Sequence, residues 1–261
     1  MIFDACEEFR ADWIAAGKAT TTVDTYCSLL VRFCAEVSDV SLISARMWVS
    51  SAPSVSMRRK RAQALRDFGK WSEEIGDNDV PWWPQIRTPV ERERPQRTAT
   101  PDDFTAALTR LSEARDRAIL AVLWGGGLRR GEVANLTLRD VNLSDGYLIV
   151  RSSKTGKPRV VPIPPMCARL IRRHLRSWTA DSLFGLGTSG IRLMLRRHGL
   201  LPAHAWRRGW AVEALRAGVS EASVRAAAGW SSGAMVVRYT RALSTSLAID
   251  EFNRVWTVTS R

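Results

Sequence analysis

The stretch AGWSSGAMVVRYTRA, residues 228–242, holds the first residue that invites chemistry. The chain has three tyrosines, Tyr26, Tyr147 and Tyr239, and Tyr239 stands between Arg238 and Arg241. A phenol ionises near pH ~10 and is a poor nucleophile alone. Cationic neighbours stabilise the phenolate, and the same cations attract phosphate. A second pair lies in HAWRRGWAVEALRAG, where His204 and Arg207 are three residues apart and share a helix face. Trp206 and Trp210 fall on another side, suited to burial. The pair follows Pro202 at a predicted helix start, where backbone N–H groups favour anions. A third element, GGGLRRGE, places Arg129 at a turn with Glu132 three residues on, able to hold its guanidinium. It lacks the Gly-Lys-Ser/Thr ending of a nucleotide-binding loop. Lys154, in SSKTGKPR, sits on a hairpin turn from which an amine can donate a proton to a leaving oxygen. Taken singly, each of these also fits a solvated surface.

The elements that must position these groups are mostly helical. FDACEEFRADWIAAG has apolar residues at Phe3, Phe9, Trp13 and Ile14 before a stop at Gly17. The next helix places Val23, Tyr26, Leu30, Phe33 and Val37 on one face, with Thr20 to Thr22 as expected N-caps. A third covers SLISARMWVSS. The fourth, SVSMRRKRAQALRDFGKWSEEIG, carries Arg58, Arg59, Lys60 and Arg61 in succession. Residues 1–83 thus form a helical unit. Residues 84–100, PQIRTPVERERPQRTAT, are charged and proline-rich with little to bury, and are expected to be a linker. Residues 101–261 form the second unit, opened by a capping signature at Thr100 and Pro101. Its one clear β signal is a hairpin, Leu148–Arg151 and Arg159–Ile163 around Thr155-Gly156. The predicted fold class is mainly α with a small β-hairpin or sheet.

Charge narrows the partner. The chain carries 39 Lys+Arg against 26 Asp+Glu, a net charge of +13. Residues 1–95 hold 13 Lys+Arg and 14 Asp+Glu, or −1; the remaining 26 Lys+Arg and 12 Asp+Glu give +14. So lopsided a basic half favours nucleic acid. No apolar run approaches the roughly 20 residues that span a bilayer, no basic lipid-facing stripe stands out, and MIFDACEEFR is not ordered as a signal peptide. A cytoplasmic protein is expected. Cys6, Cys27, Cys34 and Cys167 form no CxxC pair, so reduced thiols and no metal site are expected.

In this order, the motifs resemble those of the tyrosine recombinases, or phage integrase family. That family's Gly-Leu-Arg-x-x-Glu motif is present as GLRRGE, its hairpin lysine as Lys154 and its His-x-x-Arg as His204 and Arg207. Its Gly-His/Trp-Ser-Ser element is GWSS with Trp230, followed nine residues later by Tyr239 as nucleophile. TTVDTYCSLLVRF and SMRRKRAQALRDFGKW are similar to the family's helical core-binding domain, which precedes its catalytic domain. The likeness covers nearly the whole chain and is strongest from Asp116 to Arg241. Two departures stand out. Trp230 replaces a frequent histidine and, as an indole, can only donate a hydrogen bond. Arg208 replaces a frequent second histidine and adds charge.

The resemblance implies a chemistry. Tyr239 attacks a scissile phosphate, leaving a 3′-phosphotyrosine and a free 5′-hydroxyl. Arg129 and Arg207 neutralise the growing charge, Trp230 holds a phosphate oxygen or packs the site, His204 accepts the tyrosine proton, Lys154 protonates the departing oxygen and Glu132 orients the cluster. Arg58, Arg59, Lys60, Arg61, Arg130, Lys157 and Arg208 are expected on the DNA backbone. No cofactor, metal or ATP is implied. The implied partners are double-stranded recombination sites and a homotetramer on synapsed DNA, with room for a host DNA-bending or excision factor. About 95 residues ahead of the catalytic unit suggest a minimal integrase of phage or mobile-element origin, without an arm-binding domain, acting in a bacterial cell. A type IB-like topoisomerase and a catalytically silent DNA-binding protein of the same fold are the alternatives.

Overall fold

The computed structural model describes residues 2–77, 80–90, 96–151, 158–233, 236, 248–249 and 252–253. Arg238, Tyr239, Arg241, Lys154 and Lys157 lie outside them. The chain divides into two compact units, Met1–Arg94 and Pro95–Arg261.

The first unit is built from α1 (Ile2–Ala15), α2 (Thr20–Glu36), α3 (Leu42–Ser50) and α4 (Val55–Glu74). Its core gathers Phe9, Leu30, Phe33, Trp48, Leu65, Phe68 and Trp71. Phe9 meets both Phe68 and Trp71 edge to face at 5.4 Å, an arrangement that matches positive ring edges to negative faces. Two caps follow the local chemistry: Ser41 and Ser44 form a reciprocal capping box on α3, and Ser54 accepts from the Met57 N–H on α4. Thr20, Thr21 and Thr22 depart from expectation. They lie inside the first turn of α2, whose N-cap is Ala19, in extended conformation and with no side-chain cap.

Arg61 corrects a second expectation. Position 61 shares the inward side of α4 with Leu65, Phe68 and Ser72, so its side chain is 4% exposed and faces the protein rather than DNA. Its guanidinium stacks over Trp48 at 4.2 Å and donates to the Trp48 carbonyl and to Ser51 Oγ. Burial lowers its pKa. Arg58, Arg59 and Lys60 are exposed, although Arg58 Nε already donates to the Ala52 carbonyl at 3.1 Å.

The second unit packs α5 (Pro101–Arg110), α6 (Ala114–Gly125), α7 (Arg130–Ala134), α8 (Pro165–Leu175), α9 (Thr188–Arg197), α10 (Ala203–Arg216) and α11 (Glu221–Ala228) with a small sheet. Helix α6 is its centre. Residues Ala118 to Leu123 are all 0% exposed, because α5, α7, α8 and α10 pack around it. A helix covered on all sides needs no polar face, and its sequence has none there. Thr100 and Asp103 cap α5 reciprocally with Pro101 in the first turn, as the sequence predicts. Trp206 is fully buried against Phe104 and Trp124.

The sheet has three antiparallel strands, β1 (Val141–Asn142), β2 (Tyr147–Val150) and β3 (Arg159–Pro162), in order β1-β2-β3. Leu148 pairs with Val161 and Val150 with Arg159. Leu148, Val150 and Val161 face the core, following the period-two alternation of a half-covered sheet. Strand β1 is too short for such alternation to announce it.

Residues 84–100 bury more than their composition suggested. Ile86 is 1% exposed in the first core. Ala99 is 2% exposed in the second, its N–H bonded to the Ala205 carbonyl at 3.1 Å. All four cysteines are free thiols, and burial pushes Cys6 up to about 12 and Cys167 to about 11.

Because Arg61 joins α3 to α4 through charged hydrogen bonds, Arg61→Ala should destabilise the protein by about 1–3 kcal/mol. The neighbouring Lys60→Ala should stay within about 0.5 kcal/mol of the parent. Thermal and urea unfolding of the full chain measure both.

Candidate active site

The site begins where α6 runs out of side chains. Gly125 ends the helix and Gly126 caps it. Gly127 then turns at φ +59, and a Cβ there would lie 2.3 Å from the Trp210 ring. Only glycine fits a left-handed turn pressed so closely against an indole. The tight turn brings Arg129 to the N-cap of α7, where Glu132 occupies the third helical position.

Glu132 is the hub. Its Oε2 accepts from the Arg129 backbone N–H at 2.8 Å, and its Oε1 accepts from Arg129 Nη1 at 2.8 Å. Arg159, the first residue of β3, spans the same carboxylate with both terminal nitrogens, Nη1 to Oε1 at 3.0 Å and Nη2 to Oε2 at 2.8 Å. Such paired contacts fix the plane of the guanidinium as well as its position. Arg207, from α10, brings a third guanidinium to 3.9 Å from Oε2. Three positive groups from three separate elements therefore surround one negative group, a local balance of +3 − 1 = +2.

The same guanidiniums hold the end of α11. Its last carbonyls have no partners in the helix and carry the negative end of its dipole. Arg159 Nε donates to the Ala227 carbonyl at 2.7 Å, and Arg207 Nη2 to the Ala228 carbonyl at 2.6 Å. Arg207 Nη1 donates to Gly127, also at 2.6 Å. Gly229 caps α11 at φ 64, ψ 47 and delivers the chain to Trp230, whose ring lies 5.2 Å from the Arg207 guanidinium. Trp230 is buried with Ala211, Val224, Ala228 and Val236.

Two ionisations follow. Burial pushes the Glu132 carboxyl up, but hydrogen bonds from Arg159 and the Arg129 backbone outweigh it, and the net effect is a lowered pKa. His204, at the second position of α10, keeps an exposed edge. Partial loss of hydration, with the charges of Arg207, Arg208, Arg130 and Arg129, lowers its pKa below the ordinary 6.5. A neutral imidazole beside arginines can accept a proton at neutral pH.

The structure thus brings together Arg129, Glu132, Arg207, Trp230 and His204, with Arg130 half-buried nearby and adding to the field on His204. It does not leave Arg208 for a phosphate. That side chain is 8% exposed and clamps the segment ahead of α5, donating twice to the Arg97 carbonyl and once to Gln96 Oε1. Lys154, Lys157 and Tyr239 lie outside the described residues. Arg159 is the residue that sequence reasoning missed. It opens a β-rich run, and the one available signal was a lone cation at the inward register of a hairpin strand.

A turn-borne arginine, a buried carboxylate, a second arginine and a histidine whose pKa is lowered make a net cationic cluster with a proton acceptor at its edge, chemistry suited to an anion. Residues 99–184 match the model of the phage integrase family. The tyrosine recombinase XerA of Pyrococcus horikoshii is 29% identical over 178 residues, 67% of this chain and 61% of that protein, under two thirds of its length. XerA of Thermococcus kodakarensis is 27% identical over 91% of this chain and 90% of its own. XerC of Chromobacterium violaceum is 34% identical over 59% of this chain and 51% of its own. A lambda integrase dimer bound to a COC′ core site has the same fold, with a TM-score of 0.76 at 16% identity over 90% of this chain and 76% of that one. The chain is thus similar to the tyrosine recombinases in sequence, most clearly over the phage integrase match at residues 99–184, and shares the fold of the lambda integrase.

Glu132→Gln keeps the shape of the hub and removes its charge, leaving buried guanidiniums without a counter-ion. It should lower stability by about 3–5 kcal/mol. Because the folded pKa is depressed, this stabilisation is present above the ordinary 4.5 and lost as pH falls through the folded value. The gap between parent and variant, measured by unfolding at stepped pH, should therefore close on acidification.

Proposed function

We propose that the protein cleaves and rejoins DNA at specific sites through a 3′-phosphotyrosine on Tyr239. The observation that carries this reading is the cluster of Arg129, Arg159 and Arg207 around Glu132, with a local balance of +2. A phosphodiester carries one negative charge, and its pentacoordinate transition state carries two. A rigid +2 site favours the second over the first, which is the differential binding that accelerates a reaction.

Each group then has a part. Arg129 and Arg207 face the non-bridging oxygens. Neutral His204 takes the phenol proton, and Lys154 returns a proton to the departing 5′ oxygen. Trp230 packs the Arg207 guanidinium and offers its indole N–H toward the phosphate. The ester on Tyr239 keeps the energy of the broken bond, so rejoining needs neither ATP nor a metal. Arg58, Arg59, Lys60 and Arg130 contribute backbone contacts, which set register more than sequence choice. One solved neighbour is a lambda integrase tetramer bound to a Holliday junction, and four copies of this chain on two synapsed duplexes are the assembly we carry over from it.

A pool of duplexes with randomised cores, each nicked on one strand, should trap the wild-type protein covalently, because the short product diffuses away. Tyr239→Phe should trap none, and equal trapping by the variant overturns the assignment. Relaxation of plasmids irrespective of sequence would point instead to a topoisomerase. The trapping rate should fall on acidification through a pKa below 6.5, as His204 takes up its proton. Removing a cationic neighbour by Arg130→Ala should move that limb to higher pH. Single-turnover rates across pH measure both.

A further inference from the structure

The residue that joins the parts of this site is Arg159. Its side chain is 8% exposed. It donates to both oxygens of Glu132 and, through Nε, to the Ala227 carbonyl at the end of α11. Its own backbone begins β3, where it pairs with Val150 at the end of β2. Glu132 in turn fixes Arg129 twice, and the carbonyl next to Ala227 is held by Arg207. One guanidinium therefore connects the Arg129 turn, the base of the hairpin and the helix end that leads into Trp230.

Gly229 is shaped to this contact. A Cβ at that position would lie 3.1 Å from Arg159 Cδ, 3.2 Å from Nε and 3.3 Å from Nη1. The glycine of the Gly-Trp-Ser-Ser element thus serves two ends: it adopts φ 64, and it leaves room for the arginine. Lysine could not replace this arrangement. Its ammonium is a point charge on a flexible stem, whereas three directed donors in one plane require a guanidinium.

We infer that Arg159 is a positioning residue for strand cleavage, holding Glu132 and the last turn of α11 in register so that Arg129, Arg207 and the segment after Trp230 act on one phosphate. The inference rests on the proposed recombinase reading. Its bonds to Glu132 and Ala227 turn it inward, so its effect falls on the chemical step rather than on DNA affinity.

Two measurements on the full chain test this. In the first, Arg159→Lys is compared with wild type on the nicked duplex pool, with affinity from gel shifts and cleavage from single-turnover trapping. Affinity should change less than about threefold, while trapping slows by about 10²-fold, the effect of an ångström-scale misplacement. Arg159→Ala should regain part of its rate with added guanidinium chloride and none with sodium chloride. Wild-type trapping by Arg159→Lys, or a loss confined to affinity, overturns the inference. Should Arg159→Lys melt well below wild type, Gly229→Ala makes the same comparison with the arginine retained, and unchanged trapping there likewise overturns it. The second measurement needs no activity. Carbon-13 NMR should show the Glu132 carboxyl titrating at higher pH in Arg159→Lys, because the bonds that favour its charged form are lost. An unmoved titration overturns the inference. A shifted titration with no trapping by wild type would instead retain Arg159 as the clamp and reject the recombinase reading.

Discussion

A single carboxylate has to satisfy guanidiniums that arrive from different parts of the chain. Glu132 meets Arg129 from its own turn and Arg159 from β3, with Arg207 from α10 at 3.9 Å. Like charges repel strongly where water is scarce, and the cluster holds because the acid lies between them and the inward-facing donors of Arg159 and Arg207 find acceptors. The acceptors beyond Glu132 are backbone carbonyls: Gly127, Ala227 and Ala228. Each comes from a helix end or a glycine turn, where carbonyls lack partners within their own helix. The glycines of GGGLRRGE and GWSS therefore serve the charge cluster as much as the chain path.

This arrangement explains why arginine rather than lysine fills the interior positions. A guanidinium stays charged on burial and divides its donors between acceptors on different elements. Arg207 bridges two carbonyls, Arg159 a carboxylate and a carbonyl, Arg208 a carbonyl and an amide, and Arg61 a carbonyl and a hydroxyl. A large positive charge count thus overstates what is offered to DNA, because part of it ties elements together inside each unit.

Much of the fold was legible because its signals are local. The capping box at Thr100 and Asp103, the apolar run of α6 and the hairpin alternation each declare themselves within a dozen residues. The positions of Arg129, Glu132, His204 and Arg207 were legible as spacings, which turns and helices convert into shared faces. What escaped depends on distant partners. Arg159 and Arg208 find theirs 27 to 112 residues away, so their neighbours in sequence say nothing of their role. Arg61 looked like part of a solvated basic run, yet the helical repeat carries it to the inner side of α4, onto Trp48. The threonines that open α2 were misjudged because three successive residues offered a cap, whereas the helix starts at Thr20 and is preceded by Ala19, which has no side-chain cap.

The central claim is that Tyr239 becomes esterified to DNA, and the site of attachment tests it most directly. Protein trapped on a nicked duplex can be digested with nuclease and trypsin, and the nucleotide-bearing peptide sequenced by mass spectrometry. Cleavage after Arg238 and Arg241 isolates Tyr239 in a peptide of three residues. The account predicts a phosphonucleotide on that tyrosine. A nucleotide on any other residue, or covalent capture that leaves this peptide unmodified, would contradict it.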